Sequence, residues 1–229
     1  EDKTIAAIVN GEIYNFRELR DALEKKGHEF STRSDAEVLV HLYEERGEDF
    51  LSDLNGMFAF AIWDGNNKKL FCARDRCGKK PFYYLEQGSQ FIFASECKGI
   101  LKHPGANKEV DIKSLSKYLA YEYVPTPSTI YKGIKRLPPG YKLTVDFKEK
   151  SVKISKYWDF SLPESGKKEK IFSEDHYCQR ICELFKNSVQ RRLISDVPLG
   201  VFLSGGLDSS SVLAQMADLV PPEQIKTFS

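Results

Sequence analysis

No apolar run in this chain approaches the roughly 18 residues that a membrane-spanning helix needs; Met57 to Trp63 is among the longest. A helical membrane span is therefore excluded, and the opening residues EDKTIAAIVN do not resemble a secretory signal. Excess charge of one sign is also missing. The 34 Lys and Arg against 33 Asp and Glu give a formal charge of +1, so no strong attraction to nucleic acid or to anionic lipid is expected. Cysteine is sparse. Cys72, Cys77, Cys97, Cys178 and Cys182 form an odd set without a CxxC pair, which argues against a disulfide framework or a zinc ribbon and fits free thiols in a reducing cytoplasm. What is present, 229 residues of which 41% are hydrophobic and 29% charged, suits a soluble globular protein with one large core or two smaller ones. The chain starts at Glu1 and ends in the half-strand KTFS, and it is read as a fragment.

Along the chain, TIAAIV (Thr4 to Val9) reads as a buried strand ended by Asn10 and Gly11. A helix is expected next, opened by Asn15 with Glu18 three residues later and closed by Gly27. SDAEVLVHLYEERG repeats that grammar with Ser34, Glu37 and Gly47. The alternating runs MFAFAIWD, KLFCARD, FYYLE and FIFAS, separated by turn residues, predict an antiparallel meander. A helix over about Ile112 to Tyr121 and a hairpin of GYKLTVDF with SVKISKYWDF complete a first domain, 1–160. The polar stretch 161–170, SLPESGKKEK, reads as a linker, and 171–229 as the beginning of a second domain.

That second domain opens with a helix from Glu174 to about Leu193, whose apolar face includes Cys178 and Cys182, two thiols better explained by packing than by metal. Then come a short β run, GVFLS, a loop, GGLDSS, and a helix starting near Asp208 or Ser209, with KTFS as the next strand. At the end of a parallel strand such a loop faces a crevice. Its glycines let backbone N–H groups come close to a ligand, and the helix N-terminus adds positive partial charge, so phosphate is the expected guest. Ser204, Ser209 and Ser210 can donate to phosphate oxygens, while Asp208 would repel them unless a divalent cation such as Mg2+ lies between. The absence of a lysine after the glycines disfavours a P-loop kinase or GTPase. A Gly-Gly turn with Ser209 as an ordinary helix cap is the plainer alternative.

SGGLDSS resembles the pyrophosphatase-type loop of enzymes that split ATP into AMP and pyrophosphate. VNGEIYNFREL, SDAEVLV, NGMFAFAIWD, ARDRCGKKPFYY, FIFASECK and YVPTPSTIYKGIKRLPPG resemble, in that order, segments of glutamine-hydrolysing asparagine synthetases. The resemblance implies an α+β, N-terminal-nucleophile-type class II glutaminase of four αββα layers, truncated at its N-terminus. The start of a Rossmann-like parallel α/β ATP pyrophosphatase domain is expected to follow. It implies glutamine, aspartate and ATP as substrates, Mg2+ as cofactor, β-aspartyl-AMP as intermediate, no nucleic-acid or membrane partner, and leaves a homodimer open.

Carried over residue by residue, Asn10 and Gly11 fall on the family's oxyanion hole, Glu12 on the same pocket wall, and Asp35 on the holder of the glutamine α-ammonium. The chemistry fits, because thiolate attack on an amide builds an oxyanion that needs fixed donors. Asn-Gly is equally a common tight-turn pair, and an aspartate just after a capping serine is favoured by the helix dipole alone. Leu203, Ser204, Gly205, Gly206, Asp208, Ser209 and Ser210 fall on the ATP and pyrophosphate loop. The family's nucleophile, a cysteine at the mature N-terminus, has no counterpart among the five cysteines, so this polypeptide alone is expected to be inactive. Arg74, Asp75 and Arg76 read as an exposed ion cluster without catalytic role. His28, His41, His103 and His176 stand apart without metal-ligand spacing and are expected at the surface. The tyrosine-rich YLAYEYVP is expected to be core and domain-contact surface. A relative acting on another carboxylate, such as a sugar acid or β-lactam precursor, and a non-catalytic glutamine- or nucleotide-binding module remain open beside the ligase.

Overall fold

The run GMFAFAIWD determines how the first part of the molecule is layered. Large and small side chains alternate in it, so a strand here presents Phe58, Phe60 and Ile62 on one face and Ala59 and Ala61 on the other, and both faces need cover. The computed structural model describes residues 4–160, 172–195 and 197–229, and the chain divides into two compact units, Glu1–Ser161 and Leu162–Ser229. The expected linker at 161–170 lies outside the described residues.

In chain order the first unit runs β1 (Ile5–Ile13), α1 (Phe16–Glu24), α2 (Glu37–Arg46), a 3-10 segment (Gly47–Asp53), β2 (Gly56–Asp64), β3 (Lys69–Arg74), β4 (Tyr83–Gln87) and β5 (Gln90–Ala94). Then follow α3 (Cys97–Leu101), α4 (Ile112–Tyr121), β6 (Ile134–Arg136), β7 (Tyr141–Asp146) and β8 (Ser151–Lys156). One antiparallel sheet has the order β1-β2-β3-β7-β8 and a second the order β5-β4-β6. The four runs expected as one meander are thus two hairpins in different sheets, because β3 pairs with β7 and β4 pairs with β6.

The side-chain clusters define the layers. Phe58, Phe60, Ile62, Phe71 and Ala73 pack with Leu23 of α1 and with Val38, Leu39 and Leu42 of α2. Ala59, Ala61, Leu70 and Cys72, on the opposite face of the same strands, pack with Phe82, Tyr84 and Leu137 between the sheets. Leu85 and Ile134, on the far face of the small sheet, pack with Ile100 of α3. Helices, sheet, sheet and helix give the αββα order.

Several local expectations change. β1 does not end at Asn10-Gly11 but continues to Ile13 in unbroken register with β2. Asn15 occupies the N-cap position of α1 without a capping bond; its amide instead donates to Asp53 O at 2.9 Å and accepts from Asn55 N at 2.9 Å, tying the exit of β1 to the entry of β2. Ser34 lies two residues before the cap of α2, which is Ala36, and Gly47 closes that helix as expected. Tyr118, Leu119, Tyr121 and Tyr123 are exposed rather than core.

The second unit comprises α5 (Glu174–Arg192), β9 (Gly200–Phe202), α6 (Leu207–Ala217), a 3-10 turn (Pro222–Gln224) and β10 (Lys226–Phe228). β10 pairs in parallel with β9, completing a strand–helix–strand unit. Val189 is the buried residue of α5, while Tyr177, Ile181, Leu184, Cys178 and Cys182 are exposed, contrary to the packing expected of both thiols. Among the described residues no helix is long and apolar enough to cross a membrane.

Candidate functional sites

Asn10, Gly11 and Glu12 lie on β1 opposite Ala59, Phe58 and Met57 of β2. Gly11 has φ +143°, and a Cβ built there would stand 2.0 Å from Met57 O and 2.7 Å from Phe58 Cα. Only glycine fits, so the pair is not a turn but a point where two backbones are pressed together. Asn10 Nδ2 donates to Ser95 Oγ at 3.1 Å, linking the large sheet to the residue after β5 of the small one. Beside this bond is a cavity of about 150 Å³ lined by Ile8 to Asn10, Ala59 to Ala61, Phe82 and Phe93 to Ser95. A larger cavity, about 680 Å³, lies by Thr4 and Ile5 at the other end of β1, with Tyr43, Glu44, Asp64 and Asn67 in its wall.

Asp35 joins the Asn10 region from the loop before α2. Its Oδ2 accepts the Ile13 N–H at 2.7 Å, three residues beyond Asn10, so the carboxylate is held on β1. Glu37 shapes that loop by accepting the N–H groups of Ser31 and Thr32 at 2.6 and 2.7 Å and the Thr32 hydroxyl. Burial resists ionisation of Glu37, yet these bonds outweigh it and hold its carboxyl below the usual range. Glu12 is exposed next to the pair.

Arg74 and Asp75 are not an exposed ion cluster. They are 7% and 2% exposed. The Arg74 guanidinium donates to the carbonyls of Lys80, Leu137 and Gly78, each at 2.7 Å, while the Asp75 carboxylate accepts the N–H groups of Cys77, Lys79 and Lys80. The two side chains between them fold the 75–80 loop after β3. Arg76 donates to Ser52 O at 3.0 Å. Cys72 and Cys97 offer no nucleophile to Asn10. Cys72 is sealed between the sheets and burial pushes its thiol well above the usual range; Cys97 packs on the far face of the small sheet and burial raises it as well.

In the second unit, Leu203 N donates to Phe228 O at 2.7 Å, so the loop leaves the paired strands directly. Gly205 has φ +75°, and Gly206, not Ser209, caps α6, which starts at Leu207. Ser209 is three residues into the helix, with its hydroxyl donating to Gly206 O at 3.2 Å and 3.1 Å from Ser204 Oγ. Ser204 Oγ also accepts Gly206 N at 3.4 Å. The two serines thereby fold the loop around the first turn of α6, where Asp208 and Ser210 are exposed. An exposed carboxylate with neighbouring hydroxyls would suit Mg2+, which keeps several waters and binds through one or two carboxylates plus substrate phosphate.

Three features escaped the sequence. Ser95 partners Asn10, although FIFAS gives no local sign of it. Arg74 and Asp75 carry a loop through backbone groups that no side-chain pattern reveals. His41 is 4% exposed, and its Nδ1 stands 3.1 Å from His28 Nδ1; the spacing His41-x-x-Glu44, one helical turn on α2, was the signal available.

A family profile described as glutamine amidotransferase domain matches residues 1–158, and one described as asparagine synthase matches residues 180–229. The chain is 46% identical over 212 residues to the glutamine-hydrolyzing asparagine synthetase 3 of Bacillus subtilis (strain 168), covering 92% of this chain and 33% of that protein. It is 41% identical over 220 residues to synthetase 2 of the same organism, 93% and 29% of the two chains, and 38% identical over 229 residues to synthetase 1, 100% and 35%. The chain spans about a third of the length of these relatives.

Proposed function

This chain belongs to the glutamine amidotransferase domain family, and from its likeness to glutamine-hydrolyzing asparagine synthetases we propose that the whole protein is an ATP-dependent, glutamine-hydrolysing asparagine synthetase. Glutamine is hydrolysed to glutamate and ammonia at the Asn10 end of β1. Aspartate attacks the α-phosphorus of ATP at the β9–α6 loop, forming β-aspartyl-AMP and releasing pyrophosphate. Ammonia then attacks the acyl carbon and expels AMP.

The observation that supports this reading is the fastening of Asp35, from the loop before α2, to the strand that carries Asn10 and Gly11. In the reaction the Asn10 amide and Gly11 N–H are the donors for the oxyanion formed when a thiolate adds to the glutamine side-chain amide. Asp35 pairs with the substrate ammonium and Glu12 lines the same wall. The nucleophile is the N-terminal cysteine of the family, outside these 229 residues. On the second unit, Ser204, Gly205, Gly206, Ser209 and Ser210 receive the phosphates, with Leu203 at the end of the strand. Asp208 holds the magnesium that accompanies ATP and neutralises phosphate charge. Free thiols at Cys77, Cys178 and Cys182 suit a cytoplasmic enzyme.

The test is AMP and asparagine formation by the full-length protein with ATP, Mg2+ and ammonia, with and without aspartate. Aspartate-dependent AMP is expected; AMP formation that ignores aspartate would move the function to a relative with another acceptor. Asn10→Ala is expected to lower glutamine-driven synthesis on the order of a hundredfold, as for a lost oxyanion donor, and to spare synthesis from ammonia.

A further inference from the structure

The helical layer of the first unit holds a cluster that glutamine hydrolysis does not use. His28, in the segment after α1, directs Nδ1 towards His41 Nδ1 at 3.1 Å, and Glu44 Oε2 lies 3.7 Å from the first nitrogen and 3.3 Å from the second. A tetrahedral zinc ion bonded at about 2.0–2.1 Å keeps its ligand atoms roughly 3.3 Å apart. The triangle of these three atoms matches one face of that tetrahedron, and its centre lies about 2.0 Å from every corner.

The outer side of the His28 ring fits the same reading, while that of His41 faces a carboxylate beyond hydrogen-bond reach. His28 Nε2 is 3.1 Å from Glu45 Oε1, and His41 Nε2 is 3.8 Å from Glu37 Oε1. Metal-bound imidazoles characteristically turn their remaining N–H to a carboxylate, which fixes the tautomer and strengthens the ligand. Glu45 is itself held by Lys26 at 2.5 Å, and the His41 ring rests on Phe30 at 4.3 Å between centroids. Glu44 lines the larger cavity, so the site communicates with solvent.

We propose that His28 Nδ1, His41 Nδ1 and Glu44 Oε2 bind one zinc ion, with water in the fourth position, as a clip between the segment after α1 and α2. Two imidazoles and one carboxylate select zinc or a similar transition metal over Mg2+ or Ca2+, which prefer oxygen throughout. Through Glu37, α2 also holds the loop that presents Asp35, so the clip stiffens the support of the glutamine site without touching substrate.

The full-length protein, stripped by chelator and with its exposed thiols alkylated, is titrated with Zn2+ and with Co2+. One Zn2+ per chain is expected, with visible Co2+ bands of a four-coordinate nitrogen and oxygen site and a metal-dependent rise in melting temperature. Glu44→Gln and His28→Asn, both at partly exposed positions and both keeping the buried ring of His41, should each weaken Zn2+ by at least about tenfold while leaving the metal-free melting temperature near that of the parent. Absence of stoichiometric binding, or binding that both variants leave unchanged, overturns the proposal.

Discussion

Asp35 Oδ2 accepts the Ile13 N–H at 2.7 Å, which fastens a residue of the loop before α2 to the strand that carries Asn10 and Gly11. Replacement by asparagine keeps an oxygen for that bond and removes only the charge. Asp35→Asn is therefore expected to raise the KM for glutamine by about ten- to a hundredfold, the loss of a charge-assisted bond of about 1.5–3 kcal/mol. Synthesis from ammonia should stay near the parent rate, and an equal fall with both nitrogen donors would remove Asp35 from the glutamine pocket.

Gly11 and Gly27 both have positive φ, but only Gly11 is crowded. A Cβ at Gly11 meets Met57 O at 2.0 Å, whereas one at Gly27 meets nothing within 4 Å. Gly11→Ala should destabilise the first unit by at least about 3 kcal/mol and Gly27→Ala by about 1–2 kcal/mol. Urea unfolding of the two variants measures the difference; similar midpoints would contradict the close approach of β1 and β2.

Asp75 binds three backbone N–H groups in a site that is 2% exposed. Asp75→Ala orphans those donors and leaves the buried Arg74 guanidinium beside them, with an expected loss of about 3–5 kcal/mol. Arg76→Ala, one residue on, should change stability by less than about 1 kcal/mol. Comparable losses would return both to an ordinary surface cluster.

The pH dependence of stability should contain a contribution from Asp64. Burial resists its ionisation, but the Asn67 side chain and backbone and the Tyr43 hydroxyl outweigh that and hold its carboxyl below the usual range. Its folded pKa is lower than its unfolded one, so the stabilisation is present above the unfolded value near 4 and fades as pH falls through the folded value. Asp64→Asn should flatten the stability profile below about pH 4. An unchanged acid limb would show that Asp64 is not stabilised as an anion.

Asp208 is exposed in the first turn of α6, so removing its side chain leaves the loop held by Ser204 and Ser209. Asp208→Ala in the full-length protein is expected to abolish aspartate-dependent AMP formation and largely retain glutamine hydrolysis. Isotope-labelled ATP and a glutamate assay read the two halves separately, and parallel loss of both would argue against independent sites.

Residue pattern was enough to read GMFAFAIWD as a strand and Ile112–Tyr121 as a helix, because side chains on a strand or helix recur on one face at short, known intervals. The motif series was enough to read the family, and the GGLDSS loop between strand and helix was visible in its residue types. Local grammar failed where side chains found distant partners. Asn15 looks like a cap but is used by Asp53 and Asn55, and Asn10-Gly11 looks like a turn but lies within a paired strand.

Residue types and spacing by themselves determined the classes of structure and the chemistry open to them: which runs are strands or helices, and which residues can donate to an oxyanion or a phosphate. The tertiary structure alone decided which residues meet. Sheet pairing sent β3 to β7 and β4 to β6, and packing brought Asp35 to Ile13, Ser95 to Asn10 and His28 to His41. These meetings join residues 13 to 85 positions apart. A linear pattern encodes the energy of each local conformation, but contacts between distant segments are set by how several buried faces are covered at once, which no single segment specifies.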